Sequence, residues 1–208
     1  MVDASRAARG VRKHFSMIRN FHLADLFTIA NGFCGVAAVF EAMTFLATRE
    51  RWHLYTAALL IPLALVFDVL DGRIARWRHN ASPMGRELDS LADVISFGVA
   101  PAAIAFAAGL NTALDQLVLL YFVGCGVSRL ARFNVTAAEL SGDTGKVTYF
   151  EGTPIPTSVV PLAVLMLAFR LGALYPVHWP GPDFHLVVLV FLLSGSLMIS
   201  KTLKIPKP

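Results

Sequence analysis

Six stretches of this 208-residue chain are long and apolar enough to cross a bilayer, which excludes most folds before any motif is read. A membrane helix needs about 20 mainly apolar residues. Residues 24–47, 53–78, 88–110, 114–135, 154–172 and 184–201 qualify. Backbone groups in a bilayer find no water, so each segment must satisfy its own hydrogen bonds, as a helix does. The expected fold is an all-α integral membrane protein of six transmembrane helices. Only 15% of the residues are charged and 56% are hydrophobic, against about 25% charged in a soluble domain. Cys34 and Cys125 both lie inside apolar runs, so neither a disulfide framework nor a zinc site is expected.

Orientation follows from the basic residues. If the N-terminus is cytoplasmic, only Arg49, Arg51 and Arg170 fall on the outer side, and every other Lys and Arg falls inside. Positive charge collects on the cytoplasmic side of membrane proteins, so both termini are expected there. Residues 1–21, with Arg6, Arg9, Arg12, Lys13 and Arg19, read as a basic cytoplasmic arm rather than a signal peptide, and residues 22–208 as one membrane domain. The formal charge of +4 comes from cations flanking apolar runs. That placement suits anionic lipid headgroups and the cell (inner) membrane, and argues against nucleic acid as a partner.

The second stretch is unusual. It stays apolar from Trp52 to Phe67 and then continues with helical spacing through Asp68, Asp71 and Arg76. At 1.5 Å per residue it reaches about 39 Å, more than a hydrocarbon core of about 30 Å, so its polar end is expected at the cytoplasmic interface. Asp68 and Asp71 are i,i+3; Asp89 and Asp93, beyond a break around residues 79–85, are i,i+4. Each pair shares a helix face. The two helices are antiparallel neighbours, so both pairs can face each other near one membrane surface. Four converging carboxylates must take up protons or hold cations. Oxygen-only donors favour Mg²⁺, Mn²⁺ or Ca²⁺, and four can hold two ions about 4 Å apart. Gly72, Ala75 and Gly85 leave room beside the acids, and also serve close helix packing.

The pattern D-x2-D-G-x2-A-R-x8-G-x3-D-x3-D is met by Asp68, Asp71, Gly72, Ala75, Arg76, Gly85, Asp89 and Asp93. It resembles the signature of the CDP-alcohol phosphotransferases, and the resemblance covers about 22–200. What it implies is a membrane enzyme that cleaves a CDP-alcohol, releases CMP and joins the phosphoalcohol to a second alcohol with two divalent ions, Mg²⁺ or Mn²⁺. It implies metal ligation by Asp68, Asp71 and Asp89. Asp93 is implied as a ligand, as the base for the attacking hydroxyl, or both. Gly72, Ala75 and Gly85 would line the nucleotide and phosphates, and Arg76 would contact phosphate or pair with the acids. A homodimer is also implied.

Three further stretches are similar to the branch of that family whose acceptor is serine and whose donor is CDP-diacylglycerol. They are FTIANGFCG with Thr28, Asn31 and Gly35, SRLARFN with Arg129, Arg132 and Asn134, and YFEGTPIP with Gly152 and Pro154. Asn31 is assigned on this basis to nucleotide or phosphate binding. Arg129 and Arg132, i,i+3 on the fourth stretch, suit a carboxylate or a lipid phosphate through the guanidinium fork, or act as positive-inside anchors. Glycerol phosphate, inositol phosphate and choline are the alternative acceptors. An ion transporter would place its acids mid-bilayer within inverted repeats, and no repeat is visible. The six histidines are scattered and carry no assigned chemistry.

Overall fold

The computed structural model describes residues 23–78, 83–140, 149–178, 181–200 and 204–206. Seven α-helices dominate: α1 (Leu23–Thr48), α2 (Arg51–Arg78), α3 (Pro83–Asp93), α4 (Ala100–Ala108), α5 (Ala113–Leu140), α6 (Val159–Arg170) and α7 (Val188–Ile199). Segments Asp25–Thr48, Arg51–Ile74, Met84–Ala108 and Ala113–Thr136 are long and apolar enough to span a membrane. The six-span expectation is met in these four. The fifth and sixth stretches form shorter apolar helices, Ile155–Arg170 and Val188–Ile199. Pro154 and Pro156 make the fifth open with a 3₁₀ turn over Ile155–Ser158, and the sixth spends its first residues in a strand.

The basic arm, residues 1–21, lies outside the described residues. Pro83 is the first residue of α3, where its missing N–H costs nothing, so the third helix starts earlier than its apolar run does. α3 and α4 are one rod interrupted by a wide π-helical turn over Val94–Val99, in which the Ala100 N–H donates to the Ile95 carbonyl five residues back. Such turns occur mostly as single insertions in α-helices, often at functional sites.

Helix α1 is the hub. It runs along α2 and also touches α3, the π turn and α4. Its contact stripe is small: a Cβ at Gly32 would sit 3.5 Å from Ala92 Cβ, and one at Gly35 would meet Ser96 Cα at 2.7 Å and N at 2.9 Å. Ala38, Ala42, Ala57 and Ala64 extend the close approach of α1 and α2, as expected where packing rather than water drives helix association. α7 lies against α5 through the edge-to-face pair Phe122–Phe191, with ring centroids 5.4 Å apart.

Two short antiparallel pairs close the ends. β1 (Tyr149–Glu151) pairs with β4 (Lys204–Pro206), and β2 (Pro176–Val177) with β3 (Phe184–His185). In the YFEGTPIP stretch, Gly152 takes φ +73° against the Met198 carbonyl. The Thr153 N–H donates to the Leu197 carbonyl at 3.2 Å. At the other end of the bundle, Asp115 is fully buried and accepts from the Thr112 N–H (3.1 Å), the His185 N–H (2.9 Å) and His185 Nδ1 (2.6 Å). Asp115→Ala would strand these buried donors, at a cost of about 3 kcal/mol. Thermal unfolding in detergent should show the loss, with KM values unchanged because the residue lies about 28 Å along α5 from Asn134.

Candidate functional site

Asp68 and Asp71 lie one turn apart on α2, and Asp89 lies on α3. One carboxylate oxygen from each comes within 4.8 Å of the others. Asp71 is buried, and Asp68 and Asp89 are half-buried. At that spacing, ionised carboxylates repel by about 3 kcal/mol per pair at an effective dielectric constant of ~20. Among the described residues, the Oδ1 atom of Asp89 is buried without a hydrogen-bond partner. An all-oxygen donor set with an orphaned oxygen fits a hard divalent cation better than a soft one.

Asp93 stands outside this trio, one turn after Asp89 and just before the π turn. It is 6% exposed, and its Oδ1 accepts from Asn31 Nδ2 at 3.0 Å. Thr28 Oγ1, on the same stripe of α1, donates to Asp71 Oδ2 at 2.8 Å. Ser96 Oγ donates to the Asn31 carbonyl at 2.8 Å. Thus the TxxN spacing of the first stretch sets one polar side chain on each acidic helix.

Among the described residues, and apart from its own turn of helix, nothing lies within 4 Å of where a Cβ would stand at Gly72. Gly85 is half-buried in the first turn of α3. The helix carries on through Ala75 and Arg76, but their side chains lie outside the described residues. Arg129 on α5 lies within electrostatic reach of Asp93, and its Nε is buried without a partner among the described residues. Arg132 is half-buried one turn further on. Asn134 is no helix cap, since α5 continues to Leu140. It bridges to α3 instead, through Ser90 Oγ (3.0 Å) and Glu87 Oε2 (3.3 Å).

Sequence reasoning missed three polar partners: Ser96, the Asp115–His185 pair, and His53, whose Nδ1 lies 2.6 Å from Glu41 Oε2. The two pairs join residues 70 and 12 apart in the chain, so helical spacing carried no sign of them.

Helices long and apolar enough to cross a membrane thus bring carboxylates together in an acidic cluster suited to hard cations. A family model described as CDP-alcohol phosphatidyltransferase matches residues 21–199. A CDP-diacylglycerol--serine O-phosphatidyltransferase of Saccharomyces cerevisiae is 48% identical over 204 residues, covering 94% of this chain and 74% of its own. A Helicobacter pylori protein of the same name is 39% identical over 179 residues, 85% of this chain and 68% of its own. An archaetidylserine synthase of Methanothermobacter thermautotrophicus is 36% identical over 148 residues, 70% of this chain and 58% of its own. The chain belongs to the CDP-alcohol phosphatidyltransferase family and is an enzyme of that class.

Proposed function

We propose that the chain transfers the phosphatidyl group of CDP-diacylglycerol to the hydroxyl of L-serine, giving phosphatidylserine and CMP. The observation that carries this reading is the convergence of Asp68, Asp71 and Asp89 within 4.8 Å, at the positions of the family signature. Serine figures in the names of all three relatives, which supports it over glycerol phosphate, inositol phosphate or choline.

The serine oxygen attacks the phosphorus that carries diacylglycerol, the bond to the CMP oxygen breaks, and the hydroxyl proton passes to Asp93. The position of Asp93 outside the trio, held by Asn31, supports the role of base. Asp68, Asp71 and Asp89, together with Asp93, would hold two Mg²⁺ or Mn²⁺ ions, whose charge would offset that of the pyrophosphate and of the leaving phosphate. Gly72, Ala75, Gly85 and Arg76 line the nucleotide and phosphates. The Arg129 guanidinium receives the serine carboxylate, with Arg132 one turn away. Catalysis rests on positioning and fixed charge.

The reading extends to a six-span homodimer in the cell (inner) membrane, with residues 1–21 as a basic arm and the site and both termini cytoplasmic. The excess of Lys and Arg on that side supports the orientation. The test is CMP release from CDP-diacylglycerol by purified protein with Mn²⁺ or Mg²⁺, acceptors being added singly. Release that needs both metal and serine, and is lost in Asp71→Asn, is expected. Release with another alcohol alone would overturn the serine assignment, and release without metal would overturn the role given to the carboxylates.

A further inference from the structure

The acidic helices α2 and α3 are tied to a third element by two hydrogen bonds. Thr28 and Asn31 lie one turn apart on α1, at 4% and 0% exposure. Thr28 Oγ1 reaches Asp71 across 43 residues of chain, and Asn31 Nδ2 reaches Asp93 across 62. The same Asn31 receives Ser96 Oγ on its backbone carbonyl, and a Cβ at Gly35, one turn on, would stand 2.6 Å from that Ser96 oxygen. The stripe Thr28, Asn31, Gly35 therefore grips both acidic helices at once.

A bland account would make Asn31 a core residue satisfied by its neighbours. Its Oδ1 argues against that, being buried without a partner among the described residues. Such an atom destabilises the fold, and each instance in a native structure calls for a reason. The other end of the side chain supplies it, because Nδ2 fixes the orientation of a carboxylate assigned to the chemistry. The remaining free atom of Asn31 is an acceptor, the wrong polarity for a phosphate oxygen.

We propose that Thr28 and Asn31 are positioning residues that set Asp71 and Asp93 in the orientation and mutual spacing required for metal binding and proton removal. α1 is then the spacer between the two halves of the site. The inference rests on the metal-assisted transfer proposed above.

The test uses full-length protein in detergent micelles and three variants. Thr28→Val keeps the shape and removes the donor, Thr28→Ser keeps the donor, and Asn31→Leu removes a donor at similar size. Mn²⁺ binding to substrate-free protein is read by electron paramagnetic resonance, and thermal unfolding is followed without metal. Loss of a group that orients a ligand costs about 10–100-fold in affinity or activity. Thr28→Val should weaken Mn²⁺ binding by about tenfold or more, with Thr28→Ser close to the parent. Asn31→Leu should lower kcat by about 10–100-fold, leave the KM for CDP-diacylglycerol unchanged, and unfold no earlier than the parent. Variants that bind Mn²⁺ and turn over like the parent would overturn the inference. So would Thr28→Ser as impaired as Thr28→Val, or loss of folding in Asn31→Leu, since either marks a structural role. A parent protein that binds no Mn²⁺ would instead overturn the metal-assisted reading itself.

Discussion

Asp89→Asn is expected to abolish CMP release while leaving the metal-free protein more stable than the parent. The two effects have one cause. A carboxylate oxygen of Asp89 sits within 4.8 Å of one from each of Asp68 and Asp71, and its Oδ1 is buried without a partner among the described residues. Removing its charge relieves the cost of a buried anion and the repulsion from both neighbours. The amide also brings a donor to two carboxylates that can accept it. For the reaction the balance reverses. An amide gives a cation one neutral oxygen in place of an anionic one, and the phosphate leaves without the charge stabilisation that the cluster supplies. Losing one group aimed at developing charge costs about 10²–10³-fold, and here a ligand is lost with it, so a fall of about a thousandfold is expected. A nucleotidase-coupled malachite-green assay of released CMP reads the rate, and detergent-phase thermal unfolding in chelator reads the stability. A variant that keeps its rate would remove Asp89 from the site. One that loses both rate and stability would mark it as a structural acid.

Gly35→Ala should produce the largest fall in stability of any single-methyl change in α1. The new Cβ would meet Ser96 Cα at 2.7 Å and Ser96 N at 2.9 Å. Both are backbone atoms, so no rotamer change relieves them, and α1 must move away from the π turn. Overpacking of this kind costs about 1–3 kcal/mol, or a fall in Tm of roughly 3–10 °C for a chain this size. The displacement also stretches the Ser96–Asn31 bond of 2.8 Å and the Asn31–Asp93 bond of 3.0 Å, so kcat should fall in the molecules that remain folded. Ser96→Gly in the same chain should not rescue it, because it removes Oγ and leaves the backbone contacts. Full rescue would show that the hydroxyl alone set the limit.

The helices were legible because apolar length is written locally. α1, predicted over 24–47, runs over Leu23–Thr48, and α2, predicted over 53–78, over Arg51–Arg78. The acidic trio was legible for the same reason, since i,i+3 and i,i+4 spacing places carboxylates on one face and the intervening break turns the two faces toward each other. Other features depend on partners far along the chain. Asn134 falls at the predicted end of the fourth stretch, and its partners in the structure, Ser90 and Glu87, lie more than forty residues away. Thr28 and Asn31 were visible as a spacing, but their carboxylates could be assigned only once α1 was seen to touch both acidic helices. The 3₁₀ opening of the fifth stretch was half-visible in its two prolines, which the apolar length outweighed.

The π turn over Val94–Val99 acts as a phase shifter. One residue of α-helix is 100° of rotation, and the wider turn absorbs about one residue, so the polar face of α3 and the buried face of α4 keep independent angular settings. The eight-position signature ends at Asp93, on the threshold of this turn. Downstream of it, the apolar half of the rod can change its lining without rotating the carboxylates. Because the turn takes up the extra residue, deleting a single residue between 94 and 99 would close it into plain α-helix with Asp89 and Asp93 still facing α2, whereas a deletion within α3 would rotate them by about 100°. The chemistry and the anchorage of this rod are geared separately, and the gear is six residues long.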